Sequence, residues 1–152
     1  MDQRTEVDVR YTDLVRNRAD GSVGCEGAAV YWASSPASFD FENNVVANNL
    51  LDCSSGSGGA VYSASSAGTF RQFYNLYWNN STPGFVNVAE PTGADGNIAQ
   101  NPQFGFCCSS YSEYWDLSPN AGSPLIDAGD PTETDVDGTR ADIGSTGGPS
   151  PL

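Results

Sequence analysis

The sequence predicts an all-β fold: a right-handed parallel β-helix, or solenoid, of about three 31-residue coils followed by a C-terminal closing segment. When the sequence is shifted by 31 residues many columns match, and a fixed period of this length is typical of solenoids. Each period holds two short β-prone runs separated by turns rich in Ser, Gly, Asn and Pro. No stretch shows the 3.6-residue apolar period of a helix. We expect successive coils to pair in parallel, and such crossovers are nearly always right-handed.

The repeat sets the predicted organisation of the chain. Residues 1–86 form the coils, which we expect near 7–30, 31–61 and 62–85. Residues 87–152 form a C-terminal coil or closing segment that carries an acidic loop. The two parts belong to one continuous domain, since neighbouring repeats of a solenoid share one core.

Residues one period apart should stack on neighbouring coils, and three such columns recur. The aliphatic column should point inward, and the asparagine column should form a ladder of side-chain amides at a turn. A third column is polar. Val45 and Val46 are adjacent, so strict alternation cannot bury both unless a bend lies between them. The columns are Leu14, Val45 and Leu76 (aliphatic), Asn17, Asn48 and Asn79 (asparagine), and Asp13, Asn44 and Asn75 (polar).

The four cysteines favour disulfides over a zinc site, because the chain has no histidine and no CxxC pair. Four cysteines allow three connectivities, and sequence alone does not choose among them. Cys53 lies three residues before Gly56, the position equivalent to Cys25, so a bond between Cys25 and Cys53 is our preferred pairing. Cys107 and Cys108 would then form either a vicinal disulfide or free thiols.

The charge of the chain limits its partners. The formal net charge is −13, with six arginines, no lysine and no histidine. Nucleic acid is therefore not an expected partner, and an anionic membrane surface would repel the protein. No apolar run approaches the roughly 18 residues that a membrane span needs, so we expect no membrane insertion. Divalent cations are the natural partners of such an acidic surface.

Several stretches carry a resemblance to a known family. Residues 41–49 and 58–66 resemble the parallel β-helix repeats of the pectin-lyase-like superfamily. Residues 101–104, 123–131 and 135–144 resemble the closing segment of bacterial secreted β-helix proteins of that group. The resemblance implies an extracellular or surface-displayed bacterial protein, here a segment of an exported chain without its own signal peptide. It implies no activity by itself, because one fold hosts many functions.

The known enzymes of that superfamily show which catalytic residues to look for in this sequence. Its polysaccharide lyases use calcium-bound carboxylates with an arginine or lysine base, and its hydrolases use clustered aspartates. Here Asp8, Asp40 and Asp52 are scattered, and Arg71 is expected to form an ordinary ion pair with Asp40 one coil back. The sequence offers no matched pair of carboxylates for glycoside hydrolysis. We therefore name no catalytic residue.

The sequence favours a non-catalytic extracellular β-helix module for surface display, adhesion or assembly. The alternatives are a fragment of a polysaccharide-degrading β-helix enzyme and a filament subunit that stacks end to end. The chain opens directly into the repeat at 7–11, so we expect self-association through an uncapped first coil. Carbohydrate is a further candidate partner because aromatic residues are plentiful, although stacking of Tyr31 on Tyr62 is better explained as stabilising the wall of the solenoid.

The acidic C-terminal loop is the predicted metal site. Residues 135–138, Asp-Val-Asp-Gly, resemble the core of calcium-binding loops, in which alternate carboxylates on a tight turn converge on one cation. Arg140 is the competitor, because it could pair with one of these acids and order the loop without metal. The predicted Ca²⁺ ligands are Asp130, Asp135, Asp137 and Asp142.

Overall fold

A computed structural model describes residues 6–33, 38–64, 69–109 and 115–149, and within them the fold is all-β with no helix. No described segment could therefore cross a membrane as a helix. These described ranges contain fifteen short strands. The first five are β1 (Glu6–Arg10), β2 (Asp13–Val15), β3 (Arg18–Gly21), β4 (Cys25–Glu26) and β5 (Val30–Trp32). The next five are β6 (Ser38–Glu42), β7 (Val45–Ala47), β8 (Leu50–Cys53), β9 (Gly56–Ser57) and β10 (Val61–Ser63). The last five are β11 (Thr69–Phe73), β12 (Leu76–Trp78), β13 (Phe85–Val86), β14 (Phe104–Phe106) and β15 (Asp116–Pro119).

Strands at equivalent places in successive repeats pair side by side and in parallel. They form sheet A (β1, β6, β11), sheet B (β2, β7, β12), sheet C (β3, β8), sheet D (β4, β9) and sheet E (β5, β10, β13). The chain visits these sheets in the same order in each repeat. Strands β14 and β15 form a separate antiparallel pair. The predicted parallel pairing of the repeats is therefore confirmed.

The spacing between the first and second repeats differs from the predicted 31 residues. Val7 pairs with Phe39 at a separation of 32, whereas Phe39 pairs with Phe70 at 31. The extra residue lies in the turn between β3 and β4, where 22–24 stand against 54–55 in the second repeat. Loops absorb insertions of this kind without disturbing the strands that they join.

This insertion corrects the predicted aliphatic column. Leu14 pairs with Val46, which pairs with Tyr77, and these three side chains belong to the core between sheets A, B and E. Val45 does pair with Leu76 as predicted. Their column faces the outside of sheet B, however, and its first-repeat member is Asp13 rather than Leu14. Placing Leu14 in the column of Val45 was wrong by one residue, which moves a strand side chain to the opposite face.

Two hydrophobic cores explain why Val45 and Val46 are both fully buried. Val46 points into the interior core, while Val45 points outward against the C-terminal part of the chain. No bend between the two valines is needed, because sheet B is covered on both faces. The buried interior core consists of Phe41, Val46, Ala60, Val61 and Tyr77. The buried outer core consists of Val45, Ala47, Leu76, Leu125 and Ile143.

Asparagine ladders line both ends of sheet B. The buried amide of Asn75 accepts from the backbone N–H of Asn44 at 2.9 Å, and Asn97 accepts from the N–H of Asn75 at 3.0 Å. In the first repeat the predicted member of this column was Asp13. Its place is taken by Thr12, whose backbone N–H donates to Asn44 Oδ1 at 2.9 Å. The ladder thereby satisfies backbone donors at bends where the strands cannot.

The second ladder differs from the predicted column for the same reason. Asn17 donates its backbone N–H to the side-chain oxygen of Asn49 at 2.8 Å, and Asn49 does the same to Asn80 at 3.1 Å. Asn48 and Asn79 do contact each other, since Asn79 Nδ2 donates to Asn48 Oδ1 at 2.8 Å. The predicted ladder of Asn17, Asn48 and Asn79 is therefore correct only for its second and third members.

Covalent and ionic links join the repeats. A disulfide connects Cys25 with Cys53, with 6.2 Å between their Cα atoms, and confirms the preferred pairing. Cys107 and Cys108 form a vicinal disulfide, one of the two predicted outcomes. Arg71 pairs with Asp40 across neighbouring strands, with 2.6 Å between Nη2 and Oδ2.

Candidate functional site in the acidic closing segment

Residues 123–148 run over the outer face of sheet B. They are part of the predicted closing segment 87–152, and from here on the name closing segment means 123–148 alone. Its Leu125 and Ile143 pack in the outer core, and Ile143 donates its backbone N–H to the carbonyl of Leu125 at 3.0 Å. Gly144 then donates to the carbonyl of Asn43 at 2.8 Å, with a φ of 103° that favours glycine. Ser145 Oγ donates to Asp13 Oδ2 at 2.5 Å. The closing segment thus contacts the second and first repeats in turn.

Between its two core residues the closing segment makes an acidic loop. Gly129 donates its N–H to the carbonyl of Ala141 at 2.8 Å, and Ala141 donates to that of Glu133 at 3.0 Å. The tip turns at Gly138, whose φ is 85° and whose N–H donates to the carbonyl of Asp135 at 3.2 Å. The Asp-Val-Asp-Gly motif therefore occupies a tight turn, as its sequence predicts.

Three of the four predicted calcium ligands lie in one neighbourhood. The side chains of Asp135 and Asp137 are hydrogen-bonded to each other, and this bond is the main reason that the pKa of Asp135 is raised. Asp137 also accepts from the N–H of Thr139 at 2.8 Å, which lowers the pKa of Asp137. Burial raises the pKa of Asp142, whose Oδ1 accepts from the N–H of Asp127 at 2.6 Å. Asp135 Oδ1 is buried without a hydrogen-bond partner among the described residues.

Asp130, the fourth predicted ligand, is occupied elsewhere. Its Oδ1 accepts from both the N–H and the hydroxyl of Thr132 at 2.8 Å, and its own N–H donates to Asn43 Oδ1 at 2.8 Å. Its side chain is also hydrogen-bonded to Glu42. Throughout the described ranges, no three acidic or cysteine side chains are arranged in a way that could hold a metal ion. The orphaned oxygen of Asp135 is thus the one feature of the loop that suits a cation.

Arg140 orders the loop through carbonyl groups. Its Nε donates to the carbonyl of Gly129 at 2.7 Å and its Nη2 to that of Ala128 at 3.2 Å. Its guanidinium lies 5.7 Å from the centre of the Tyr74 ring, in cation–π geometry. The alternative to a metal site was that Arg140 orders the loop by pairing with one of its acids, but these contacts use backbone oxygens and an aromatic ring.

The closing segment also completes a cluster that the sequence did not predict, called here the carboxylate cluster: Arg10, Tyr11, Glu42, Asp130 and Glu133. Arg10 lies between two of its acids, with Nη2 at 3.0 Å from Glu42 Oε2 and Nη1 at 3.1 Å from Glu133 Oε1. The Tyr11 hydroxyl donates to Glu133 Oε2. The cluster therefore joins β1, the end of β6 and the acidic loop.

The two hydrogen-bonded acids of the carboxylate cluster differ in proton affinity. Burial, followed by the hydrogen bond with Asp130, raises the pKa of Glu42 to about 7. The N–H of Thr132 lowers the pKa of Asp130. Below about pH 7, Glu42 therefore keeps its proton beside an ionised Asp130, as in other close carboxyl pairs.

The sequence did carry one signal of this cluster. Arg10 and Glu42 are direct neighbours in sheet A at a separation of 32. A search at the single period of 31 residues places Glu42 beside Tyr11 and misses the opposite charges. The contribution of Asp130 and Glu133 follows only from the path of the closing segment, about 90 residues further along the chain.

Direct contact between Glu42 and Asp130 limits what the pair can do chemically. Glycoside hydrolases separate their two carboxyl groups by at least about 5 Å so that the sugar fits between them. Glu42 is only 7% exposed, and its partner lies within hydrogen-bond distance. The arrangement suits attachment of the closing segment to the repeats better than it suits attack on a glycosidic bond.

Comparison of the chain with protein-family models, curated proteins and solved structures gave no significant match. The pectin-lyase-like resemblance therefore stays a prediction from the sequence, and any function has to be argued from the geometry above.

Proposed function

We propose that the protein is a right-handed parallel β-helix module of a bacterial surface or secreted protein, used without catalysis for display, adhesion or assembly. The repeated order of the parallel sheets supports the β-helix: sheets A, B and E each hold one strand from three repeats, and sheets C and D one strand from two. Two disulfides support an oxidising, extracellular setting. The resemblance to the pectin-lyase-like superfamily adds the expectation of a bacterial exported chain.

The first-repeat edge of the stack, which no other described strand covers, carries this proposal. Strands β1, β2 and β5 are each the outermost member of their sheet. Val7, which stacks on the core residue Phe39, is 42% exposed there, and Tyr31 is 50% exposed while its ring stacks on Tyr62 at 5.5 Å. Unpaired strand edges with apolar neighbours are templates for another strand layer. We therefore assign assembly to this end.

The opposite end favours a one-sided module over a filament. Ile98 pairs with Leu76 of β12, and the carbonyl of Asp95 accepts from the N–H of Tyr74 at 3.0 Å. Asn97 accepts from the backbone N–H of Asn75 and so satisfies the last donor of the asparagine ladder. A head-to-tail filament needs two open ends, and part of this one is covered by 95–98.

Sedimentation velocity over a wide concentration range tests the assembly proposal. We expect the wild-type chain to self-associate, and Val7→Asp to abolish association by placing a charge on the apolar edge. Val136→Asp is the matched control, because Val136 is 70% exposed at the tip of the acidic loop and belongs to no strand of the five sheets. A wild-type protein that stays monomeric at every concentration would contradict the proposal.

We further propose that Ca²⁺ stabilises the acidic loop through Asp135 and Asp137, with Asp142 close by. Mutual repulsion of these carboxylates would be relieved by a hard cation, which also suits the orphaned Asp135 oxygen. Calcium should then raise the melting temperature more than magnesium does, and Asp135→Asn should remove the difference. Asp130→Asn should keep it, because Asp130 is already satisfied by Thr132 and Glu42. An unchanged melting curve after chelation would eliminate the site.

A fragment of a polysaccharide-degrading enzyme is the second candidate, and the proton-sharing pair of Glu42 and Asp130 is the observation in its favour. We expect no turnover of pectin, alginate or neutral glycans. Turnover that Glu42→Gln abolishes while binding persists would establish the enzyme instead.

A further inference from the structure

Trp78, at the end of β12, forms the shared wall of two adjoining grooves. One groove has a volume of about 320 Å³ and is lined also by Asn48, Asn101, Gln103 and the Cys107–Cys108 disulfide. The other, of about 210 Å³, lies on the side of Asn79, Asn80 and Thr92. The indole is 37% exposed. A large aromatic side chain is thus held between two polar grooves.

The exposure of Trp78 is specific to the third repeat. In sheet B it pairs with Ala47, which is fully buried and belongs to the outer core. The closing segment covers the column of Val45 and Leu76 but leaves the indole accessible. Since burying a tryptophan is strongly favourable, an indole left open beside a buried neighbour is a candidate contact for a ligand.

Amide groups are fixed along the first groove. Asn48 Oδ1 accepts from Asn79 Nδ2 at 2.8 Å, and Asn48 Nδ2 lies 3.4 Å from Cys108 Sγ. Asn101 Oδ1 accepts from the backbone N–H of Gln103 at 3.0 Å, and Gln103 itself is exposed. The amides of Asn48 and Asn101 are thus held by hydrogen bonds, and the exposed Gln103 adds a third amide to the lining of the groove.

The part of the groove formed by Cys107 and Cys108 is also held in place. Arg16 donates from Nη1 to the carbonyls of Cys108 and Ser109, the latter at 2.7 Å. The same guanidinium lies 5.8 Å from the centre of the Trp115 ring. Arg16 is therefore committed to shaping this part of the groove.

We infer that Trp78 and the amides of Asn48, Asn101 and Gln103 form a binding site for a neutral oligosaccharide. A sugar ring presents C–H groups on its faces and hydroxyls on its rim, which match an indole flanked by amides. A net charge of −13 without lysine opposes an anionic ligand such as a uronate chain. Two grooves that meet at one indole suit a chain of several sugar units. The inference rests on the proposed non-catalytic adhesion role and names its ligand.

Isothermal titration calorimetry tests the site with three neutral pentasaccharides, of β-1,4-glucose, α-1,4-glucose and β-1,4-mannose, and with a pentagalacturonate. We expect at least one neutral chain to bind, and Trp78→Ala to weaken it by about tenfold or more through lost stacking area. Trp78→Phe should keep part of the affinity, and Gln103→Ala should weaken binding with an unchanged melting temperature. Val23→Ala, at an exposed residue of the turn 22–24 outside both grooves, should bind as the wild type does.

Three results would overturn the inference: no heat from any neutral chain, tighter binding of the galacturonate, or equal affinity in Trp78→Phe, Gln103→Ala and the wild type. Trp78→Phe and Gln103→Ala remain informative even if Trp78→Ala does not fold. Product analysis of the same mixtures separates the two proposals. Cleavage of a bound chain would refute the non-catalytic function while leaving the site intact, and absence of binding would refute the site alone.

Discussion

The side chains of Glu42 and Asp130 are hydrogen-bonded across the junction between the second repeat and the closing segment. Glu42 is buried at the end of β6, while Asp130 sits on the acidic loop with its N–H on Asn43. The contact requires one proton between the two carboxyl groups, because two adjacent carboxylates repel. Attachment of the closing segment at this point therefore depends on pH.

The free energy of unfolding should fall between about pH 4.5 and pH 7. The folded-state pKa of Glu42, about 7, exceeds its ordinary value of 4.5, so the folded protein binds this proton more tightly. The resulting stability is complete below pH 4.5 and is lost as the pH rises through 7, by about 3 kcal/mol. Urea unfolding at half-unit pH steps measures this fall.

Glu42→Gln should flatten that pH dependence, because glutamine keeps a donor for Asp130 but cannot ionise. Glu90→Gln, at an exposed position, should leave the dependence as it is in the wild type. A Glu42→Gln variant with the full wild-type fall in stability would show that another group causes it.

Leu125→Ala should destabilise the protein by about 2–4 kcal/mol, because Leu125 is fully buried between the closing segment and sheet B. Val136→Ala, on the exposed loop tip, should cost less than about 0.5 kcal/mol. Chemical denaturation of both variants gives the comparison. A small loss in Leu125→Ala would mean that the closing segment contributes little to stability.

Asn75→Ala should lower the free energy of unfolding by about 2–4 kcal/mol, because it leaves buried backbone groups without hydrogen-bond partners. Asn75 donates to the carbonyl of Phe41 at 2.7 Å and accepts from the N–H of Asn44 at 2.9 Å. Asn79→Gly is the matched control: it removes an exposed amide but keeps the positive φ of 50°, so we expect about 1 kcal/mol or less. Equal losses in the two variants would argue against the ladder as a source of stability.

The two disulfides should contribute unequally to the free energy of unfolding. Replacing Cys25 and Cys53 with serine should cost about 3–4 kcal/mol, because their bond closes a long loop in the unfolded chain. Replacing Cys107 and Cys108 should cost much less, since adjacent residues are already close when unfolded. Urea midpoints of the two double variants measure the difference. Non-reducing peptide mapping that finds Cys25 bonded to Cys107 would contradict the pairing itself.

Much of the fold could be predicted from the sequence because repetition is a local signal. A β-strand pattern that recurs at a near-constant spacing predicts parallel pairing of its copies, as Val45 and Leu76 confirm. The single extra residue in the turn 22–24 has no such signature, so Leu14 was assigned to the wrong column. Register within a sheet is sensitive to one residue, whereas the presence of the sheet is not.

The site was harder to predict because its parts come from distant segments. The turn at Asp135 and Gly138 followed from local sequence, and the structure confirms it. The outer core and the carboxylate cluster depend on where the closing segment lies, which no period encodes. Asp130 therefore looked like a metal ligand in sequence but lies beside Glu42 in the fold.

The path of the closing segment bears on when the protein can fold during synthesis. Ser145 binds Asp13 and Gly144 binds Asn43, so the last-made part of the described chain completes contacts of its first repeats. In repeat proteins each unit contacts mainly its neighbours, so folding can begin in one unit and spread to the next. Here the early repeats would leave the ribosome with the outer face of Val45 still uncovered. Emergence of residues 123–148 should therefore be the event that makes folding cooperative, and a chain stopped before Ile143 should remain sensitive to proteases along sheet B.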